Sequence, residues 1–156
     1  MSTIDIIKQR HSVRRFKDIP LDLKTVEQLN QEIEVCNKES GLHIQLITNE
    51  PEAFQGEKLY LVIALGYGET NGVPHKSKSI TDVSDFKSGD PEWYRSGIES
   101  ALLAPTAVNQ QKFRFERNGE KVALKVAGLG FYTKIDLGIV KYHFEIGSGK
   151  DSSVWI

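Results

Sequence analysis

LLAPTAVNQQKFRF, residues 102–115, starts as an apolar helical run, meets Pro105, passes small residues and presents Asn109, Gln110 and Gln111 before Phe113 and Phe115 begin an aromatic alternation. Proline lacks an N–H and restricts the residue before it, so a helix ends ahead of Pro105. Alternation with a period of two is the mark of a half-buried strand. The chain therefore passes from helix to strand inside this stretch, as a mixed α and β domain does. The next residues support that reading, since KFRFERNGEKVALKV (112–126) holds two alternating runs joined at Asn118-Gly119. That pair signals a hairpin, because both central residues of a type I′ turn need positive φ. Upstream, Asp90-Pro91 predicts a helix start, an aspartate N-cap followed by proline at the first helical position, with Tyr94, Ile98, Ala101 and Leu102 turned inward. Downstream, Ile135, Ile139, Tyr142 and Ile146 share one helical face over 135–146, with Gly147 as C-cap.

Toward the N-terminus, Ser2 or Thr3 is placed to cap a short helix that carries Ile4 and Ile7 and runs into Arg10. A second helix starts at Asp22 or Leu23, repeats Val26, Leu29, Ile33 and Cys36 at three- and four-residue steps, and ends at Gly41. Leu42, Ile44 and Leu46 alternate with polar residues and predict a half-buried strand. LYLVIALG (59–66) is almost continuously apolar and predicts a central strand covered on both faces. The fold class is α+β, a sheet flanked by helices in two or three layers, and 156 residues suit one domain spanning 1–156.

The formal charge of −1, from 20 basic and 21 acidic residues, offers no general attraction for nucleic acid or an anionic membrane, so any anion site must be local. A single cysteine, Cys36, excludes an intrachain disulfide framework. With no signal-like N-terminus and no apolar run of membrane-spanning length, a cytoplasmic protein is expected. The four histidines stand at no ligand spacing, so no metal is expected, and Asp136 with His143 lacks a nucleophile and reads as ordinary polar contacts. GYGETNG (66–72) matches no nucleotide-binding fingerprint.

RHSVRRF (10–16) is more informative. Extended, it would turn Arg10, Ser12 and Arg14 to one side, two guanidinium forks and a hydroxyl suited to a phosphate. On composition alone a solvated basic helix end is the simpler account. The same holds for His75, Lys76 and Lys78 in VPHKSK (73–78), a phosphate arm or a soluble loop. Asn109, Gln110 and Gln111 offer donors and acceptors able to read the edge of a planar heterocycle, or else they cap the helix before Pro105. Spacing does not choose between the two.

Taken together, IKQRHSVRRF (7–16), LVIALGYGE (61–69) and LLAPTAVNQQKFRF (102–115) resemble the nitroreductase family of flavoproteins, in particular the subgroup whose AP[ST]xxNQQ motif comes late. DLGIVKYHFEIGSGK (136–150) resembles the helix that follows in that subgroup. The resemblance implies FMN as cofactor and a homodimer that passes electrons from NAD(P)H to a nitroaromatic, quinone or similar small acceptor. Arg10, Ser12 and Arg14 match the family's phosphate and flavin element, Lys76 and Lys78 its basic residues near the phosphate, and Pro105, Thr106, Asn109 and Gln111 the segment along the flavin ring. No side chain is implied as acid, base or nucleophile. Thr106 stands where serine is usual and Lys112 where proline is common. Relatives carry several tens of further residues at 51–58, so that place reads as an internal deletion or a segment missing from the sequence as written. Against the enzyme stand two alternatives, a non-catalytic flavin-binding relic and a structural α+β interaction domain.

Overall fold

The structure, a computed structural model, describes residues 1–48 and 61–156. The reading of 51–58 as a deletion lies outside the described residues. Chain order gives α1 (Thr3–Gln9), α2 (Leu23–Ser40), α3 (Ile80–Val83), α4 (Glu92–Ala101), β1 (Phe113–Asn118), β2 (Lys121–Val126) and α5 (Thr133–Ser148), with 3₁₀ turns at Ala107–Asn109 and Ser152–Val154. Helices and a small antiparallel sheet make an α+β protein, as expected. The elements fall into two compact units, Val13–Gly72 and the combination of Met1–Ser12 with Val73–Ile156.

In the Val13–Gly72 unit, α2 begins where the sequence places it. Asp22 accepts from the Thr25 N–H at 2.9 Å, and Gly41 closes the helix in the left-handed region at φ 70°. Tyr67 donates its hydroxyl to Asp22 at 2.8 Å. The stripe on α2 is only partly covered, with Val26, Leu29 and Ile33 half-buried and Cys36 exposed. Two expected strands are corrected. Residues 42–46 form none, Ile44 being tied instead to the Asn37 side chain by two hydrogen bonds of 2.9 and 2.7 Å. Residues 61–66 also form none, and Leu61, Val62, Ile63 and Leu65 are each more than half exposed. A continuous apolar run becomes a central strand only where neighbours pair with its backbone. Here pairing starts beyond the run, where Lys17 N–H donates to the Tyr67 carbonyl and Glu69 N–H to that of Arg15.

In the other unit, α1 has a reciprocal cap: Asp5 N–H reaches Ser2 Oγ while the Asp5 carboxylate accepts from Ser2 N–H at 2.9 Å. Pro91, rather than Asp90, is the N-cap of α4. Asp90 is drawn away by Lys87 N–H and by Arg117, both at 2.7 Å, and the first of these holds its carboxyl below the usual range. Tyr94, Ile98, Ala101 and Leu102 are buried as expected. They meet Phe113, Phe115, Val122, Val140 and Phe144 in one core, where Phe115 stacks on Phe144 with ring centroids 5.0 Å apart.

The hairpin forms in the expected place, yet Asn118 pairs with Lys121, so the central residues are Gly119 and Glu120. Only Gly119 has positive φ, the requirement of a type II′ turn rather than type I′. Helix α5 runs past Gly147 and is capped by left-handed Gly149. Its buried residues are Asp136, Val140, His143 and Phe144, one position on from the predicted face, and Ile135 and Tyr142 are exposed. The reason is the partner helix. A Cβ on Gly97 would lie 2.6 Å from the Phe144 ring and one on Gly147 would lie 2.3 Å from Ser100 Cβ, so small residues let the two helices close on this face.

Candidate functional site

After α4 ends at Ala101, its last carbonyls need donors. Ser77 Oγ donates to the Leu102 carbonyl at 3.1 Å and the Arg10 guanidinium to that of Leu103 at 3.3 Å. The Ser100 and Ala101 carbonyls accept from the Leu103 and Ala104 N–H groups, so the end of α4 is closed by its own following backbone, Ser77 and Arg10 take the two carbonyls just beyond it, and the side-chain amides of 109–111 do not cap it. Arg10 is half-buried and its Nε is buried without a hydrogen-bond partner. Ser12 pairs with Val73 in an isolated bridge, which lays the Met1–Ser12 segment beside VPHKSK. Burial, then the nearby Arg10 guanidinium, lowers the His75 pKa from 6.5. That direction is the one expected of an imidazole beside a fixed cation.

Beyond Pro105 the backbone turns sharply. Val108, Asn109 and Gln111 have φ of 46°, 56° and 46°, in the left-handed region. Asparagine tolerates that region, but a β-branched valine there costs about 1–2 kcal/mol. Such a turn persists when surrounding bonds over-determine it. Thr106 Oγ accepts from Gln111 N–H at 3.1 Å, and Asn109 N–H donates to the Thr106 carbonyl at 2.9 Å. On the far side, Asp136 accepts from Ala107 N–H at 2.9 Å and from Gln110 Nε2 at 2.7 Å.

Gln111 is 3% exposed and its amide is fully used. Nε2 donates to the Lys76 carbonyl at 2.7 Å and to Asn109 Oδ1 at 2.9 Å, while Oε1 accepts from Lys78 N–H at 2.9 Å. Asn109 donates to the same Lys76 carbonyl at 2.9 Å, and Lys78 Nζ donates to the Gln111 carbonyl at 2.8 Å. The NQQ turn and the lysine segment are thus stitched together. This leaves Asn109 with a spare amide donor and Lys76 exposed.

Of the nine residues singled out for a cofactor, eight lie in this unit: Arg10, Ser12, Lys76, Lys78, Pro105, Thr106, Asn109 and Gln111. Arg14 lies in the Val13–Gly72 unit and is exposed. Lys112 donates Nζ to the Leu129 carbonyl. Ser77 is a contributor that the sequence reading missed, and Asp136, read there as an ordinary polar contact, is the partner of Gln110 and of the Ala107 N–H. A carboxylate on the buried stripe of α5, four and seven residues ahead of Val140 and His143, is the signal that could have pointed to Asp136. Among the described residues, no group of three or more His, Cys, Asp or Glu is placed to hold a metal, and no helix is long and apolar enough to cross a membrane.

A profile described as "Putative TM nitroreductase" matches residues 2–58 and 52–148. The chain belongs to this family. Its two matched stretches overlap on 52–58 and together span the site residues above. A crystal structure described as a "putative nitroreductase" from Thermotoga maritima superposes with a TM-score of 0.65 at 18% identity, covering 94% of this chain and 83% of that one. At that identity the likeness shows a shared nitroreductase-like fold. No curated protein matches the chain. Membership of a nitroreductase family supports a general oxidoreductase role.

Proposed function

We propose that the chain is an FMN-dependent oxidoreductase that takes electrons from NAD(P)H and passes them to a nitroaromatic, quinone or similar small acceptor. The observation that carries this reading is the stitching of the 105–111 turn to the lysine segment, beside a half-buried arginine whose Nε has no partner. Cations and amide donors are gathered in one unit, the set that a phosphate and a ring edge call for. Arg10, Ser12, Lys76 and Lys78 would hold the phosphate. Pro105, Thr106 and Asn109 would line the ring, and Gln111, its amide already committed, would keep that wall in place. When bound, FMN supplies the two-electron chemistry, so the protein need contribute only binding, orientation and the exclusion of water. A homodimer is part of the proposal, and the exposed apolar residues Leu61, Val62, Ile63 and Leu65 support it as surface that a second copy would cover.

The test is FMN retention through gel filtration. The unmodified chain retains flavin, and Arg10→Ala weakens binding about 10- to 100-fold, the size of one charge-assisted contact of about 1.5–3 kcal/mol. If the unmodified chain retains none, the flavin reading is wrong. If Arg10→Ala binds equally well, the phosphate assignment is wrong.

A further inference from the structure

Asp136 stands on α5, is 6% exposed, and makes no ion pair among the described residues. A buried carboxylate without a cation must be held by N–H donors. It has two, and both come from the turn that precedes β1: the backbone of Ala107 on Oδ1 and the side chain of Gln110 on Oδ2. Its position in the first turn of α5 adds the positive end of the helix dipole. The same Gln110 nitrogen also donates to the Phe131 carbonyl at 2.7 Å, so one carboxylate ties together the turn, the start of α5 and the loop leading into it. That loop is itself constrained, with Tyr132 at φ 54°.

What the carboxylate grips is the strained part of the chain. Ala107 immediately precedes left-handed Val108, which is 89% exposed and has no packing to hold its conformation. From the other end, Gln111 is fixed by Thr106 and by the Lys76 and Lys78 backbone. With both ends anchored, the turn is rigid where a ligand wall has to be rigid. We propose that Asp136 is a positioning residue, which sets the conformation of residues 107–110 and through it the presentation of Asn109 toward the cofactor. This rests on the flavin reading above for what is presented, and on the hydrogen bonds alone for how it is held. Asp136 itself touches neither cofactor nor substrate in this assignment.

Asp136→Ala removes both acceptor oxygens, so the Ala107 and Gln110 bonds are lost together. Gln110→Ala removes the second bond from the opposite side without disturbing α5. Two measurements test the proposal: amide hydrogen exchange by NMR in the free protein, and FMN titration. In the Asp136 variant, which loses the Ala107 bond, the Ala107 amide should exchange at least about tenfold faster, and in Gln110→Ala, which keeps that bond, by less, while hairpin amides such as Phe115 and Val122 keep their protection, a local effect that a merely structural loss would not produce. FMN affinity should fall about tenfold. Unchanged exchange at Ala107 overturns the proposal. Faster exchange with unchanged FMN affinity also overturns it, because the turn would then not present anything the cofactor uses. If the unmodified chain takes up no FMN, the flavin reading fails, and the exchange data alone decide whether Asp136 holds the turn.

Discussion

Replacing Gly147 by alanine should destabilise the protein, while the same change at Gly138, nine residues earlier on the same helix, should stabilise it. A Cβ on Gly147 would lie 2.3 Å from Ser100 Cβ, 2.6 Å from the Ser96 carbonyl oxygen and 3.0 Å from Ser100 Oγ. Comfortable carbon contacts are about 3.5–4.0 Å, so α4 and α5 would have to separate by roughly 1 Å. The nearest obstacles are a Cβ and a backbone oxygen, neither of which can swing aside. Overpacking of this kind costs about 1–3 kcal/mol, and the helix-propensity gain of alanine over glycine, about 1 kcal/mol in a helix interior, is smaller in the last turn. Around Gly138 nothing lies within 4 Å, so there the propensity gain stands alone. The two variants should differ by about 2–3 kcal/mol, which for a chain of this size is a Tm difference of about 5–10 °C. Thermal unfolding by circular dichroism, with urea titration to confirm an unchanged slope, measures it. Gly147→Ala at or above the stability of the unmodified protein would refute the close crossing of α4 and α5 that carries the core and orients Asp136.

Two further outcomes follow from the site and its support. Val108→Asn should raise stability by up to about 1 kcal/mol, seen as a higher Tm, because asparagine tolerates the left-handed backbone and the exposed valine side chain has little packing to lose. His143 is buried, and burial lowers its pKa from 6.5, with the Ser100 carbonyl pulling the other way. The unfolded state therefore binds the proton first. Stability from this group is complete above pH 6.5 and is lost as pH falls through and below that value. Stability measured against pH should show this fall, and His143→Gln should flatten it.

Elements that depend on local chemistry were legible in the sequence. Ser2, Asp22 and Gly41 cap where they were expected to, and the burial of Tyr94, Ile98, Ala101 and Leu102 follows from one helical period. The misreadings share a cause, namely dependence on partners. An apolar run at 61–66 looks like a central strand, but pairing and cover come from other segments and periodicity cannot supply them. The face of α5 was read one residue away because the apolar stripe of Ile135 and Tyr142 was weighed above Gly147, whose value lies in having no side chain. At the candidate site, residue types named the segments without their wiring. Gln111 faces the lysine segment, Arg10 reaches the end of α4, and Asp136 holds the turn, all across separations that no local pattern encodes.

The most direct test of the account is the visible spectrum of the intact chain, checked by mass, after incubation with FMN and removal of free flavin, recorded without oxygen before and after addition of NAD(P)H. A flavin spectrum that bleaches with NAD(P)H and returns on addition of a quinone is the predicted result. A colourless protein, or a bound flavin that NAD(P)H leaves oxidised, would contradict the proposed activity.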